Sequence, residues 1–460
     1  MYHPARWILA GLLLTVAADA AQPIPTSRLD AWFNALDDRT LANCAVAITE
    51  QGEIRYERYV GIAATGPDGQ PPIDNITRFR IGPVSQLFTA VLTLQLAEKG
   101  SITLDNRLAE FFPDIPNALE ITYRDLLQQR SGLADYTAGA PTDKTPAEIL
   151  ERIAAAGPRF APRSRVEYSA SNYLLLGYML EKVYDKPYAE VLSRQIADKI
   201  GLSRTGATDA DAAKAIAAHE LTGLGTKMIT WQPTPGLASQ LHGGAGSIVS
   251  TPVNLARFMD ALFARRLISE HNLGSLYGQD GDPAQGLTPV TVGGETGYGI
   301  GGVIDGYWAA VYHFPGRKIS VAIASSAPQL PFEDVLDETL QVLLDRKHQP
   351  RGFTVAPLPE KRLKPYLGRW RWSADAPPPS PLRRFSEPGK TRELRIVGTA
   401  TGLAVDAGSG AQVNLVALGG DDFRLDFGAA DSSWYLKFSP LSGELVVRDY
   451  DRAYWFKRAE

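Results

Sequence analysis

Residues 78–90 of this chain, RFRIGPVSQLFTA, have the layout of a corner that many enzymes use to hold a nucleophile. A β-like run ends at Gly82-Pro83, and a helix with apolar residues at helical spacing follows, with Pro83 suited to the first helical position. Positions 83 and 86 share one face of that helix and could therefore act on one substrate together. They hold Pro83 and Gln86, neither of which is a usual nucleophile or base.

Other signatures of chemistry are also missing from the sequence. No serine has a lysine three residues later, and there is no G-x-S-x-G elbow. Ser85 lies about 200° around the helix from position 83, so it should face away from that position. The histidines have no metal-ligand spacing, and no nucleotide-binding loop is recognisable. We therefore expect no metal and no cofactor.

The elements around the corner predict a chain of mixed helices and strands. An amphipathic helix is predicted over Ser27–Leu36, and a hairpin over Cys44–Thr49 and Ile54–Val60. The helix that begins at Pro83 should end near Glu98, before Gly100. Two further helices, over Pro141–Ala156 and Asn172–Tyr188, predict an all-α insert. From residue 363 on, short alternating runs between Gly, Asp and Ser turns predict a small all-β domain.

Composition limits the classes of protein this chain can be. It has 460 residues, 44% of them apolar, and a formal net charge of −4, so it can bury a large core and has no basic stripe for nucleic acid. A short basic start, an apolar run and a small-residue end predict a cleaved secretory signal over residues 1–20. The single cysteine, Cys44, excludes an internal disulfide. We expect export without a stable membrane span in the mature chain: periplasmic in a Gram-negative source, secreted otherwise.

The corner resembles the first motif of the serine β-lactamase and penicillin-binding-protein-like family of class C type, F-x-I-G-S-x-S-K-x-F-T-A. That family also holds D-Ala-D-Ala carboxypeptidases and esterases. The resemblance implies that the family's nucleophilic serine falls at Pro83 and its activating lysine at Gln86. It extends along framework segments such as Ser101–Phe112 and Ile121–Tyr136, where Gln129 stands in place of a frequent histidine.

The second motif, F-x-Y-S-N in the family, is similar to Val166–Tyr173, VEYSASNY. Tyr168 matches the motif tyrosine, which the resemblance makes a proton shuttle, and Ala170 replaces the asparagine that helps to hold substrate. Asn172 comes two residues late. It either turns inward through a register shift or caps the helix that follows.

The third motif, H-x-G-G or K-T-G on a strand edge, is expected to be deleted. Tyr298–Gly301 matches the start of the preceding family strand, and Val303–Gly306 then leads directly into Tyr307–Phe314. We interpret His313 as a strand residue. His242 is interpreted as part of a turn before a helix that begins near Thr251.

The resemblance implies a β-lactamase/transpeptidase-like α/β (α+β) fold, an antiparallel sheet flanked by helices with an all-α insert, plus the small all-β domain. The predicted domains are a signal at 1–20, the main domain at 21–347, a Pro-containing linker at 348–362 and a lipocalin-like domain at 363–460. Its aromatic residues are interpreted as core rather than as a ligand site.

Three functional hypotheses follow. The leading one is an exported pseudoenzyme that binds a peptide, a cell-wall fragment, a metabolite or a protein partner. The former cleft would then be lined by Pro83, Gln86, Tyr168, Ala170 and Asn172. The second is a non-covalent enzyme, for cyclisation or isomerisation of a secreted metabolite, with Tyr168 as acid or base and Gln86 as a polar anchor. The third, a serine hydrolase with another nucleophile, is least favoured.

Overall fold

The structure is a computed structural model, and the fold is described for the following residues: 23–38, 42–63, 71–138, 145–217, 219–222, 230–233, 242–278, 283–328, 332–350, 363–372, 393–399, 402–406, 412–419, 421–426, 434–440, 442–449 and 452–459. The predicted signal at 1–20 and most of the predicted linker at 348–362 lie outside these residues.

The helices and strands of the main domain are distributed along its whole length. The helices are α1 Thr26–Asp37, α2 Val84–Glu98, α3 Tyr123–Leu127, α4 Pro146–Ala156, α5 Ala170–Tyr184, α6 Tyr188–Leu192, α7 Asp198–Ile200, α8 Asp209–Ala212, α9 Gly243–Gly246, α10 Pro252–Phe263, α11 Glu270–Tyr277 and α12 Phe332–Leu344. The strands are β1 Ala42–Glu50, β2 Glu53–Val60, β3 Phe79–Arg80, β4 His219–Thr222, β5 Thr230–Pro233, β6 Val249–Ser250, β7 Thr288–Val292, β8 Glu295–Ile304, β9 Tyr307–Phe314 and β10 Ile319–Pro328. None of the helices in the described part of the chain is long and apolar enough to cross a membrane.

A six-stranded antiparallel sheet, in the order β2-β1-β10-β9-β8-β7, forms the centre of the main domain. Strand β1 shows how the sheet joins two cores. Its residues Cys44, Val46 and Ile48 pack in the core that contains α1 and α12, whereas Ala45 packs in the core that contains α2, α5 and α10. Because helices cover both faces, β1 is buried from Ala42 to Thr49, and its central residues Cys44–Ile48 are apolar without alternation.

The C-terminal strands form a closed antiparallel barrel around a separate apolar core that includes Trp370, Phe423 and Phe438. The strands are β11 Gly368–Trp372, β12 Glu393–Thr399, β13 Gly402–Asp406, β14 Gln412–Gly419, β15 Asp422–Asp426, β16 Trp434–Ser439, β17 Glu444–Asp449 and β18 Arg452–Arg458. The predicted fold class is therefore confirmed: an antiparallel sheet flanked by helices, followed by a small all-β domain.

Helix α2 runs through the larger core and carries the corner. Its residues are buried from Val84 to Leu96, and the helix begins directly after Pro83, as the sequence predicts. The short strand β3 pairs with β6, and the Ile81 N–H donates to the Ile248 carbonyl over 3.0 Å. The chain is thus fixed on both sides of Gly82, which adopts the left-handed φ of 48° that a glycine tolerates.

Strand β8 lies directly against the start of α2. A Cβ added to Gly302 would lie 2.5 Å from Cγ of the Pro83 ring, and one added to Gly82 would lie 2.8 Å from Cγ2 of Ile304. Both distances are shorter than van der Waals contact, so the two glycines allow the helix start and the strand to touch. The Pro83 ring and the Ile304 side chain therefore fill the junction between α2 and β8.

We expect Gly302→Ala to lower the free energy of unfolding by about 1–3 kcal/mol, because its Cβ would overlap the rigid Pro83 ring. In the double variant with Pro83→Gly, which removes the ring, part of this loss should be recovered. A double-mutant cycle measured by urea denaturation gives the coupling.

Gly316→Ala is the control for this cycle. Its added Cβ meets only the flexible Glu295 carboxylate, at 3.0 Å, so its cost should stay below about 0.5 kcal/mol. Additive effects of the changes at positions 83 and 302 would contradict the proposed overlap.

Candidate functional site

The start of α2 lacks both reactive groups and one further element of an acyl-transfer site. Pro83 is the residue before α2, it is partly exposed, and as a proline it has no backbone N–H. Oxyanion holes at helix starts are built from such N–H groups. Position 83 therefore supplies neither a nucleophile nor a backbone hydrogen-bond donor.

Gln86 and Tyr168 form a polar pair beside Pro83. The Gln86 amide Nε2 donates to the Tyr168 hydroxyl over 2.9 Å. Gln86 is 3% exposed, whereas 53% of the Tyr168 surface is accessible. The predicted pair of candidate residues thus comes together in space, with the Tyr168 ring at the surface and its hydroxyl turned inward toward Gln86.

The hydroxyl of Tyr168 stays protonated at neutral pH. Burial of this hydroxyl raises the pKa of Tyr168 to about 12, although the hydrogen bond from Gln86 acts in the opposite direction. Asp135 contributes to the rise through its negative charge. Because Gln86 carries no charge, nothing at position 86 favours the tyrosinate. Tyr168 can therefore donate a hydrogen bond to a ligand but is a poor base.

Asn172 is 1% exposed, and its side chain bonds to protein groups; its place in the lining of a cleft stays a prediction. It is buried in α5, donates to the Gln129 side-chain oxygen and accepts from the Ser131 hydroxyl. The same Gln129 oxygen accepts the Ser169 N–H over 3.0 Å. Gln129 and Asn172 therefore fix the backbone next to Tyr168. Asn172 does not cap the helix, since it lies inside α5. Ala170, the first residue of α5, is also buried.

Ser85 faces away from the corner, as the helical geometry predicts. It is fully buried, and its hydroxyl accepts the Ile248 N–H over 3.2 Å. It therefore connects α2 to the segment before β6.

Strand β8 is the strand beside the corner, and it carries neither histidine nor lysine, so the deletion of the third motif stays a prediction. Strand β8 occupies the sheet position next to β9 and against Pro83, and it carries Gly299-Ile300-Gly301-Gly302 there. The sequence match had treated these residues as part of an earlier strand.

Sequence reasoning missed a buried polar group near the corner. The Tyr136 hydroxyl contacts His242 Nδ1 at 3.2 Å, and His242 Nε2 faces the Asp305 carboxylate at 3.4 Å. Asp305 also lies 3.9 Å from Arg80 of β3. A helix does begin after Thr251, as predicted, but the turn interpretation of His242 overlooked these partners. The one available signal was a histidine before paired glycines; its partners are more than sixty residues away in sequence.

His313 lies on β9, which confirms the strand interpretation. It is buried, and its Nδ1 contacts the Ser320 hydroxyl at 2.8 Å, far from any residue of the corner. Among the residues that the structure describes, no cluster of three or more His, Cys, Asp or Glu side chains has the arrangement of a metal site.

Comparison with known proteins identifies the family. The Beta-lactamase family model matches residues 29–346, more than half of the chain. This chain therefore belongs to the beta-lactamase family.

Individual relatives are distant. The teichoic acid D-alanine hydrolase of Staphylococcus aureus is 25% identical over 260 residues, which cover 54% of this chain and 64% of that protein. The chain thus matches less than two thirds of this curated relative. Among solved structures, the D-amino acid amidase of Ochrobactrum anthropi SV3 is 22% identical, with a TM-score of 0.60 over 70% of this chain and 100% of that one.

A third comparison includes the C-terminal barrel. The octameric penicillin-binding protein homologue of Pyrococcus abyssi is 18% identical and has a TM-score of 0.61 over 94% of this chain and 99% of that chain. At these identities the solved structures support the fold alone.

We expect Gln86→Lys to lower the pKa of Tyr168 below its value of about 12, because an ammonium group at this position favours the tyrosinate. Gln86→Met, which is neutral, should leave the pKa high. The measurement is a pH titration of tyrosine Cζ signals by NMR, with Tyr168→Phe to assign the resonance. An unchanged pKa in the lysine variant would mean that position 86 does not contact the Tyr168 hydroxyl in solution.

Proposed function

We propose that this protein is an exported pseudoenzyme of the beta-lactamase family that binds a ligand at the corner without forming an acyl-enzyme. The observation that carries the proposal is the proline at the nucleophile position, whose ring fills the junction with Gly302 of β8. Export rests on the predicted signal over residues 1–20.

Energetics support the loss of ordinary hydrolysis. Removing a nucleophile and its activating partner costs on the order of a million-fold in rate, about 8 kcal/mol, when the two act as a unit. Loss of an oxyanion-hole donor costs about 3–4 kcal/mol where it has been measured alone. Pro83 removes the nucleophile and one N–H donor, and Gln86 removes the titratable partner.

The surviving polar groups indicate the kind of ligand. The protonated Tyr168 hydroxyl, oriented by Gln86, can donate to a carbonyl or carboxylate oxygen. The names of the relatives refer to D-alanine and to D-amino acid amides. We therefore propose a ligand with a D-amino acyl group, such as the end of a peptide or a cell-wall fragment, in preference to a metabolite or a protein partner.

We expect no covalent adduct when the wild-type protein is incubated with a fluorescent penicillin or an activated D-alanyl ester. Intact-mass spectrometry checks this, and Ser85→Ala is the matched control because it removes the serine two residues after the nucleophile position. An adduct that peptide mapping places on any residue of the corner would overturn the pseudoenzyme proposal.

Calorimetry tests the binding part of the proposal with D-phenylalanine amide and D-alanyl-D-alanine. Tyr168→Phe should weaken binding about fivefold to tenfold, the effect of one hydrogen bond of about 1–1.4 kcal/mol. Since Tyr168 keeps its proton up to a pKa of about 12, its contribution should stay constant from neutral to moderately alkaline pH. If the Tyr168→Phe variant binds these ligands with the same affinity as the wild type, the ligands do not bind at the corner.

A second candidate function is a non-covalent isomerisation or cyclisation. It is favoured by the Tyr168 hydroxyl, which can act as an acid, and by the buried Tyr136, His242 and Asp305 group near it. No covalent intermediate is needed for such chemistry.

Under this second proposal, a screen of small metabolites by thermal shift and NMR should find a ligand that is converted without an adduct. Conversion should be lost in Tyr168→Phe, whereas Ser85→Ala should convert it at the wild-type rate. A bound ligand that stays chemically unchanged would favour the pseudoenzyme instead.

A further inference from the structure

A cavity of about 760 Å³ lies between the turn that joins β1 to β2, the end of α10 and the turn that joins β9 to β10. Its lining includes Glu53, Arg257, Arg266, His313 and Lys318. The volume is in the range of small-molecule sites. None of its lining residues belongs to the corner at Pro83, so it is a separate site.

The acidic residue deepest in this cavity is already satisfied by protein groups. Asp260 accepts the Gly52 N–H at 2.6 Å and the Ser320 hydroxyl at 2.5 Å. Burial alone would raise the pKa of Asp260, but hydrogen bonds from His313, Ser320, Thr49 and Gly52 hold it below its ordinary value. The Asp260 carboxylate therefore joins the β1–β2 turn and β10 to α10 through these hydrogen bonds.

The basic side chains of the cavity are not satisfied in the same way. Arg257 donates through Nε to the Gly52 carbonyl over 3.1 Å, which leaves its terminal nitrogens for a ligand. Within the described ranges, Arg266 and Lys318 have no ion-pair partner. Glu53 is the only acid of the lining besides Asp260. The cavity therefore has an excess of positive charge.

The hydrogen bonds around His313 determine its tautomer. The Ser320 hydroxyl has one proton, and it donates that proton to Asp260, which as a carboxylate can only accept. His313 Nδ1, 2.8 Å from the same hydroxyl, must therefore be the donor of that contact. In the neutral ring, Nε2 then carries a lone pair. Phe263 stacks on the ring with centroids 4.2 Å apart and fixes its plane.

These three residues are of the types found in a catalytic triad, but they are not a nucleophilic site. Ser320 is 0% exposed, and its proton is held by Asp260 rather than by His313. The arrangement is the reverse of a triad, in which the serine donates to histidine. The group instead holds His313 in place at the cavity wall.

We propose that this cavity binds a small molecule that carries a phosphate or carboxylate group and a hydrogen-bond donor. The anionic group would contact Arg257, Arg266 and Lys318, since guanidinium and ammonium groups are the usual partners of such anions. The donor would reach His313 Nε2. The site is independent of the corner, so it holds whether or not the corner binds D-amino acyl ligands.

Calorimetric titration with inorganic phosphate and with citrate, at constant ionic strength, tests the proposal on the full chain. We expect saturable binding that Arg266→Gln and Lys318→Gln each weaken about fivefold to tenfold, the effect of one partly exposed charged contact. Arg265→Gln is the matched control because its side chain is exposed, pairs with Glu270 and does not line the cavity. Glucose serves as the neutral probe.

A second measurement reports the tautomer of the His313 ring directly. Long-range ¹H–¹⁵N NMR should show the Nδ1–H tautomer in the free protein, and its signals should shift when citrate, which carries a hydroxyl donor, is added. Saturable binding lost in the two lining variants and kept in Arg265→Gln supports the site. No saturation at millimolar concentrations, equal weakening in all three variants, or binding of glucose as tight as that of citrate would overturn it.

Discussion

The contact between the Pro83 ring and Gly302 is the constraint on which the corner depends. It brings the start of α2 against the edge of β8 so closely that a Cβ at position 302 would lie 2.5 Å from the ring. In a working acyl-transfer site, the same junction must admit a carbonyl group between a nucleophile and a hydrogen-bonding strand. Here a rigid, unreactive ring without an N–H lies at that junction, and this is the basis of the binding role that we propose.

The residues around Tyr168, beside this junction, are held by hydrogen bonds. Gln86 has nearly the reach of a lysine and keeps a hydrogen bond to the Tyr168 hydroxyl, but it cannot change its charge. Gln129 and Asn172 support the adjacent backbone through Ser169. A tyrosine that is oriented, protonated and half exposed is suited to hydrogen-bond a ligand, and this links the degenerate motif to the binding role that we propose.

Two buried histidines show how similar residue types serve different purposes. His242 lies near the corner, between Tyr136 and Asp305, whereas His313 lies on β9 with Ser320 and Asp260. In both groups a hydroxyl contacts Nδ1 of the ring, and a carboxylate lies close to one of its nitrogens. The second group borders a cavity with excess basic side chains. The second ligand site that we propose is therefore separate from the place where the family motif lies.

The sequence by itself determined the fold class and the absence of the Ser–Lys pair, because helical periodicity, turn residues and motif spacing are local properties. It placed Pro83, Gln86 and Tyr168 together only through a family resemblance. The tertiary structure decided that β8 borders the corner and that Asn172 is buried with Gln129 and Ser131 as partners. It also decided that His242, His313 and the basic cavity acquire partners from distant segments. Such pairings arise from packing between elements far apart in the chain, and no local pattern in a single sequence encodes them.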